Sequence, residues 1–236
     1  GSFVSPKAIP QMRDTEEVLN KITRGNSLTE LLTIIANKRG AEDAVCFDQI
    51  AYLGFPFSIS ETFQQRNINK SIDESMILLD ELYNLVVPKS KELVLYLSMG
   101  FGNPYGDTWS EDLVETWVGK LNANFSPSII AISDTVGCAT PSQVEQLFKR
   151  LNKSFPEIEF GAHLHTTPDS WHEKVDAAYK AGCKRFDGAI KGYGGCPMAK
   201  DDLTGNMPTE KLISYFTEQK ANTGIKPMSF ESAYNQ

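Results

Sequence analysis

Short, strongly apolar runs alternate along this chain with longer stretches whose apolar residues recur at helical spacing. The apolar runs are "LLTIIA" (31–36), "DQIAYLGF" (48–55), "LVLYLSMGF" (93–101), "SIIAISDT" (128–135), "EIEFGAHLH" (157–165) and "KRFDGAI" (184–190), with "SFVS" (2–5) a shorter candidate strand. Between them lie helical patterns. A polar helix is predicted near Asp14–Ile22 and a short one at "RGAEDAVC" (39–46). Ser71 and Glu74 form a capping-box signature ahead of Ile72, Met76, Leu79, Leu82, Tyr83 and Val86. Leu113, Val114, Trp117, Val118 and Leu121 share one helix face. "TPSQVEQLFKRL" (140–151) has Pro141 in its first turn, and "PDSWHEKVDAAYKAG" (168–182) ends on Gly182. A last helix starts near Thr209.

That is about seven strand–helix units in alternation. Strands this apolar are covered on both faces, which requires a parallel sheet. With no long polar linker, residues 1–236 read as one domain. Two α/β architectures fit, an open doubly wound sheet and a (β/α)8 TIM barrel. Polar residues gather at strand C-terminal ends: Ser98, Ser133-Asp134, His163 and His165, and Asp187. No GxGxxG follows the first strand. The barrel is therefore the expected fold, with seven units instead of eight and the first cut short.

Composition narrows the function classes. Hydrophobic residues are 41% of the 236, charged residues 22%, and the net charge is −7. There is no basic footprint for nucleic acid, and no apolar run long enough for a membrane span. An acidic small-molecule substrate stays open, because a pocket can be locally basic. The four cysteines contain no CxxC pair, which points to a reducing compartment. Cys46, Cys138 and Cys183 adjoin apolar segments and read as structural. Cys196 stands in the Gly-rich "GYGGCPMAK" (192–200) and is free to act as acid, base or nucleophile.

His163 and His165 are two apart on a strand, so they point to one face. They are either half of a divalent-metal site or hydrogen-bonded pocket histidines. His172 falls on the solvated side of the next helix. Asn206, before the last helix, is an N-cap or an amide-oxygen ligand. Asp134 caps the turn after its strand or faces the site. Metal on a barrel rim with a mobile cysteine fits aldol-type cleavage or formation of C–C bonds.

"SFVSPKAIPQM", "NINKSIDES", "SDTVGCATP", "HLH", "GGCPMAK" and "GNMPTE" occur in the order seen in hydroxymethylglutaryl-CoA lyases of the DRE-TIM metallolyase superfamily. The chain resembles that family from residue 2 to about residue 215. The resemblance implies a barrel that cleaves 3-hydroxy-3-methylglutaryl-CoA to acetyl-CoA and acetoacetate. It implies a divalent metal, Mg²⁺ or Mn²⁺ in preference to Zn²⁺, held by His163, His165 and Asn206. It further implies proton transfer by Cys196, activity-linked positions at Asp134, Glu210 and His163, and Ser2 and Asp134 beside an acyl-CoA substrate. A homo-oligomer is expected, with no nucleic-acid or membrane partner, located in the cytoplasm of a bacterium or the mitochondrial matrix. The sequence departs from the pattern twice. Thr166 stands where the family has aspartate, and the family's Arg-Asp strand has no counterpart after Gly1, which predicts an N-terminally truncated barrel of low activity. Thr166 keeps open a sibling aldolase or synthase acting on another 3-hydroxy or 2-oxo acid. The missing strand keeps open an inactive barrel with a binding role.

Overall fold

The computed structural model describes residues 1–195 and 204–236. Six strands, β1 (Leu31–Ile34), β2 (Ile50–Ser58), β3 (Glu92–Ser98), β4 (Ile129–Asp134), β5 (Glu159–Thr166) and β6 (Arg185–Phe186), pair in parallel in strict chain order. Ser2 adds a parallel bridge to Ile34 beside β1. A two-residue strand, β7 (Gly205–Asn206), pairs antiparallel with the end of β5. The sheet curls into a half-barrel. All six residues of β4 are buried, as expected of a strand covered on both faces.

The helices are α1 (Thr15–Lys21), α2 (Lys38–Ala44), α3 (Glu61–Ile68), α4 (Ile72–Val86), α5 (Glu111–Phe125), α6 (Pro141–Ser154), α7 (Trp171–Lys180), α8 (Thr209–Glu218) and α9 (Pro227–Tyr234). Along β2, Leu53, Phe55 and Phe57 are fully buried. Phe57 packs against Trp117 of α5, the rings tilted and 5.6 Å apart between centres. The alternate residues Tyr52, Gly54 and Pro56 face the concave side, where Pro56 lines the main cleft. Gly54 is needed there. A Cβ on it would lie 2.6 Å from Ile34 Cδ1 and 2.8 Å from the Tyr96 ring.

The expected helix start at Ser71 is present with both reciprocal bonds: Glu74 N–H donates to Ser71 Oγ, and Ser71 N–H to the Glu74 carboxylate. Ser71→Ala removes the first of these and is expected to cost about 1 kcal/mol of stability by urea denaturation. Five features differ from the sequence expectation, among them α9, which follows the helix at Thr209 that the pattern makes the last. "SFVS" contributes only the Ser2 bridge, and "KRFDGAI" only two strand residues. α3 escapes the periodicity reading because Phe63 and Gln64 are its only buried residues. β7 is too short to carry a pattern of its own.

Of the cysteines expected to be structural, Cys183 is buried, whereas Cys46 and Cys138 are exposed. Their apolar neighbours pack inward while the thiols cap backbone carbonyls of Glu42 and Phe101. Burial pushes the Cys183 thiol up to about 12, so it is held as the neutral thiol.

Candidate functional site at the strand C-termini

A cleft of about 890 Å³ opens on the concave face of the sheet at the strand C-terminal ends. Its walls include Tyr96 and Ser98 of β3, Ser133 of β4, Thr135, His163 and His165 of β5, and Asp187 just past β6. β5 presents both imidazoles because strand side chains alternate. Their ring centres are 5.4 Å apart, and the rings stand nearly perpendicular. The Tyr96 ring meets His163 edge-on at 5.3 Å.

Each imidazole is held from behind. His165 Nδ1 lies 3.0 Å from the Asp134 carbonyl oxygen. A carbonyl only accepts, so Nδ1 carries the proton and neutral His165 has its lone pair on Nε2. Burial, with the neighbouring His163, lowers the pKa of His165 and favours this neutral form. His163 Nδ1 lies 3.0 Å from Asp187 Oδ2. Among the described residues, neither Nε2 has a hydrogen-bond partner. The Tyr96 phenol is pushed well above its ordinary value by burial, with the Asp187 charge nearby.

Asn206 stands directly opposite His165 in the β5–β7 pair. Directly opposed residues of an antiparallel pair share a face, so the amide lies on the imidazole side. Its Nδ2 donates to the Tyr193 carbonyl at 2.8 Å, which leaves Oδ1 as the acceptor atom.

The donor set suits a divalent cation. Two imidazoles with Nδ1 tied to oxygen acceptors and, among the described residues, Nε2 without a partner, plus an amide oxygen, make a borderline-to-hard donor set. No cluster of three or more His, Cys, Asp or Glu side chains arranged for a metal occurs among the described residues. The Asn206 amide oxygen could serve as a third donor, and the nearby carboxylate of Asp187 is engaged at His163 Nδ1.

Other expected site residues are placed elsewhere. Asp134 does not face the cleft. Its carboxylate is buried, 2.7 Å from the Lys174 ammonium, and accepts from Ala139 N–H. Ser2 does not reach the imidazoles either. Its Oγ accepts from Val4 N–H and its N–H donates to Thr15, so local bonds turn it into a separate depression with Phe3, Arg13 and Arg39. Glu210, in the first turn of α8, accepts from Lys191 N–H. Thr166 is buried, with its hydroxyl 3.8 Å from Met207 Sδ. His172 is exposed, as expected. Cys196 lies outside the described residues.

Two residues of the site were not expected from sequence. In sequence Asp187 is only one of several strand-end polar residues. The available signal was its position, at the same rim as the histidines. Lys174 was unread. Its signal was a lysine on the buried stripe of α7 beside Val175 and Ala178.

Fold and site together define a barrel-class α/β protein whose chemistry sits at the strand C-terminal rim. A family model described as HMGL-like matches residues 7–235, and the chain belongs to that family. It is 33% identical over 226 residues to a hydroxymethylglutaryl-CoA lyase of Bacillus subtilis, covering 95% of this chain and 74% of the relative. A solved Bacillus subtilis HMG-CoA lyase superposes with a TM-score of 0.89 at 32% identity, over 99% of this chain and 77% of that one. An HMG-CoA lyase from Acinetobacter baumannii, solved with coenzyme A and 3-methylmalate, gives 0.85 at 32% identity, over 96% and 72%. An (R)-citramalyl-CoA lyase of Chloroflexus aurantiacus is 26% identical over 234 residues, 95% of this chain and 73% of the relative. The chain spans 64% of the length of a rat cytoplasmic 3-hydroxy-3-methylglutaryl-CoA lyase, at 31% identity over 95% of its own. These homologues are carbon–carbon lyases. Among the described residues no helix is long and apolar enough to cross a membrane.

Proposed function

We propose that the protein cleaves 3-hydroxy-3-methylglutaryl-CoA to acetyl-CoA and acetoacetate in the rim cleft. The observation that carries this reading is the pair of imidazoles, each bound through Nδ1 and, among the described residues, without a partner at Nε2, in a chain a third identical to such a lyase. His163, His165 and Asn206 are the residues that would hold Mg²⁺ or Mn²⁺. When bound, the ion supplies Lewis-acid polarisation of the substrate hydroxyl and carbonyl.

The chain's own residues supply the rest. Asp187 and the Asp134 carbonyl fix the imidazole planes. Tyr96, Leu32, Ile34 and Pro56 give the cleft its apolar side. In the reaction the tertiary hydroxyl loses its proton as a ketone forms. The electrons of the broken C–C bond pass to the thioester enolate, whose carbon is then protonated. Cys196, in the Gly-rich segment between β6 and β7, is the residue assigned to that proton transfer. The acyl-CoA class is supported by the coenzyme A in the Acinetobacter relative.

The protein expressed from its whole coding sequence, given 3-hydroxy-3-methylglutaryl-CoA and Mg²⁺ or Mn²⁺, is expected to release acetoacetate and to stop on chelation with EDTA. Metal-independent turnover, or none, overturns the reading. Thr166 and the Chloroflexus relative favour a second substrate, another branched hydroxy-dicarboxylic thioester such as citramalyl-CoA. Higher kcat/KM on that substrate selects it.

A further inference from the structure

We infer that Lys174 is the positioning residue of the site: it orients His165 by joining the ends of β4 and β5. This inference rests on the reading of His165 as a cation ligand, and deepens it.

Lys174 lies in the first turns of α7, and its side chain is 4% exposed. A buried cation at a helix N-terminal end opposes the macrodipole, and lysine is rarely buried unless paired. Its ammonium nevertheless spends all three donors here. They go to Asp134 Oδ2 at 2.7 Å, the Gly137 carbonyl at 3.0 Å and the His165 carbonyl at 3.3 Å.

The connections close a ring. Lys174 holds the Asp134 carboxylate, the Asp134 carbonyl accepts from His165 Nδ1, and the His165 carbonyl accepts from Lys174. Ala139 N–H takes the other Asp134 oxygen, so the carboxylate cannot pivot. The ring fixes both the backbone and the imidazole of His165 and aims Nε2 at the cleft. The ammonium itself is too enclosed to meet a substrate, so it acts through His165. Asp134 is reassigned with it, from substrate contact to the middle link of the clamp.

The test separates positioning from folding and from metal binding. Lys174→Met alone strands a buried carboxylate, so the double variant Lys174→Met/Asp134→Asn, which removes both charges, is the one to measure. Nitrogen-15 histidine spectra of the metal-free chain, taken where the imidazoles are neutral, report the tautomer of each ring. The unmodified chain is expected to show His165 with its proton on Nδ1. The folded double variant is expected to show a mixture of tautomers and a Mn²⁺ affinity weaker by about 10- to 100-fold. Lys174→Arg, which keeps the cation, is expected to recover part of both. An unchanged tautomer in the folded double variant overturns the inference. If the tautomer becomes mixed but the unmodified chain itself binds no Mn²⁺, the clamp stands and the cation-ligand reading fails.

Discussion

Replacing His165 with alanine is expected to abolish measurable Mn²⁺ or Mg²⁺ binding and to lower turnover by at least about 10²-fold. Loss of a direct ligand should exceed the roughly 10- to 100-fold cost of losing a partner behind it. The comparison variant is Asp187→Asn. It keeps the His163 Nε2 atom but replaces the carboxylate that holds Nδ1 at 3.0 Å with a neutral amide. Its loss is expected to be the smaller of the two. Titration calorimetry gives the affinities, and initial rates give turnover. A His165→Ala variant that binds the cation as tightly as the unmodified protein would remove His165 from the ligand set. A larger loss for Asp187→Asn than for His165→Ala would make the carboxylate a ligand rather than a support.

The second large effect is on stability. Asp134→Ala leaves the Lys174 ammonium buried without its counter-charge, and the Asp134 carboxylate is itself fully enclosed. Breaking one side of a buried ion pair costs about 3–5 kcal/mol. That is a large share of the roughly 5–15 kcal/mol that holds a typical domain folded. Replacing both partners by neutral side chains is expected to recover most of it, because no unpaired charge remains. Urea unfolding of the single and double variants measures this directly. A single variant within 1 kcal/mol of the unmodified protein would mean that water reaches the ammonium.

Most of the architecture was legible because its signals are local. α4 announces itself by its capping box and an apolar residue every three or four positions. β4 is apolar at its first four positions and is buried at every one. The HxH spacing placed His163 and His165 on one face. What sequence left hidden depends on contacts between distant residues. Asp187 meets His163 across 24 positions, and Lys174 meets Asp134 across 40. No local period encodes either. Asp134 takes the turn-capping alternative, accepting from Ala139 N–H, and Ser2 is held by bonds with Val4 and Thr15; motif order reveals neither set of bonds. Thr166 remains the residue whose effect on substrate choice needs the cleavage assay.

The chain-order pairing of the sheet also bears on how the molecule assembles. From β2 to β6 each strand docks on the one made just before it, so each of these contacts closes a loop of tens of residues rather than one spanning the chain. Closure entropy rises only with the logarithm of loop length, and neighbour-by-neighbour docking keeps contact order modest for a parallel sheet. The inner strands, β2 to β5, have a partner on both sides. They should resist amide hydrogen exchange longest, while β6, with only two paired residues, should open first. The Asp187 support of His163 therefore belongs to the segment most ready to loosen, while the histidines themselves belong to the most persistent.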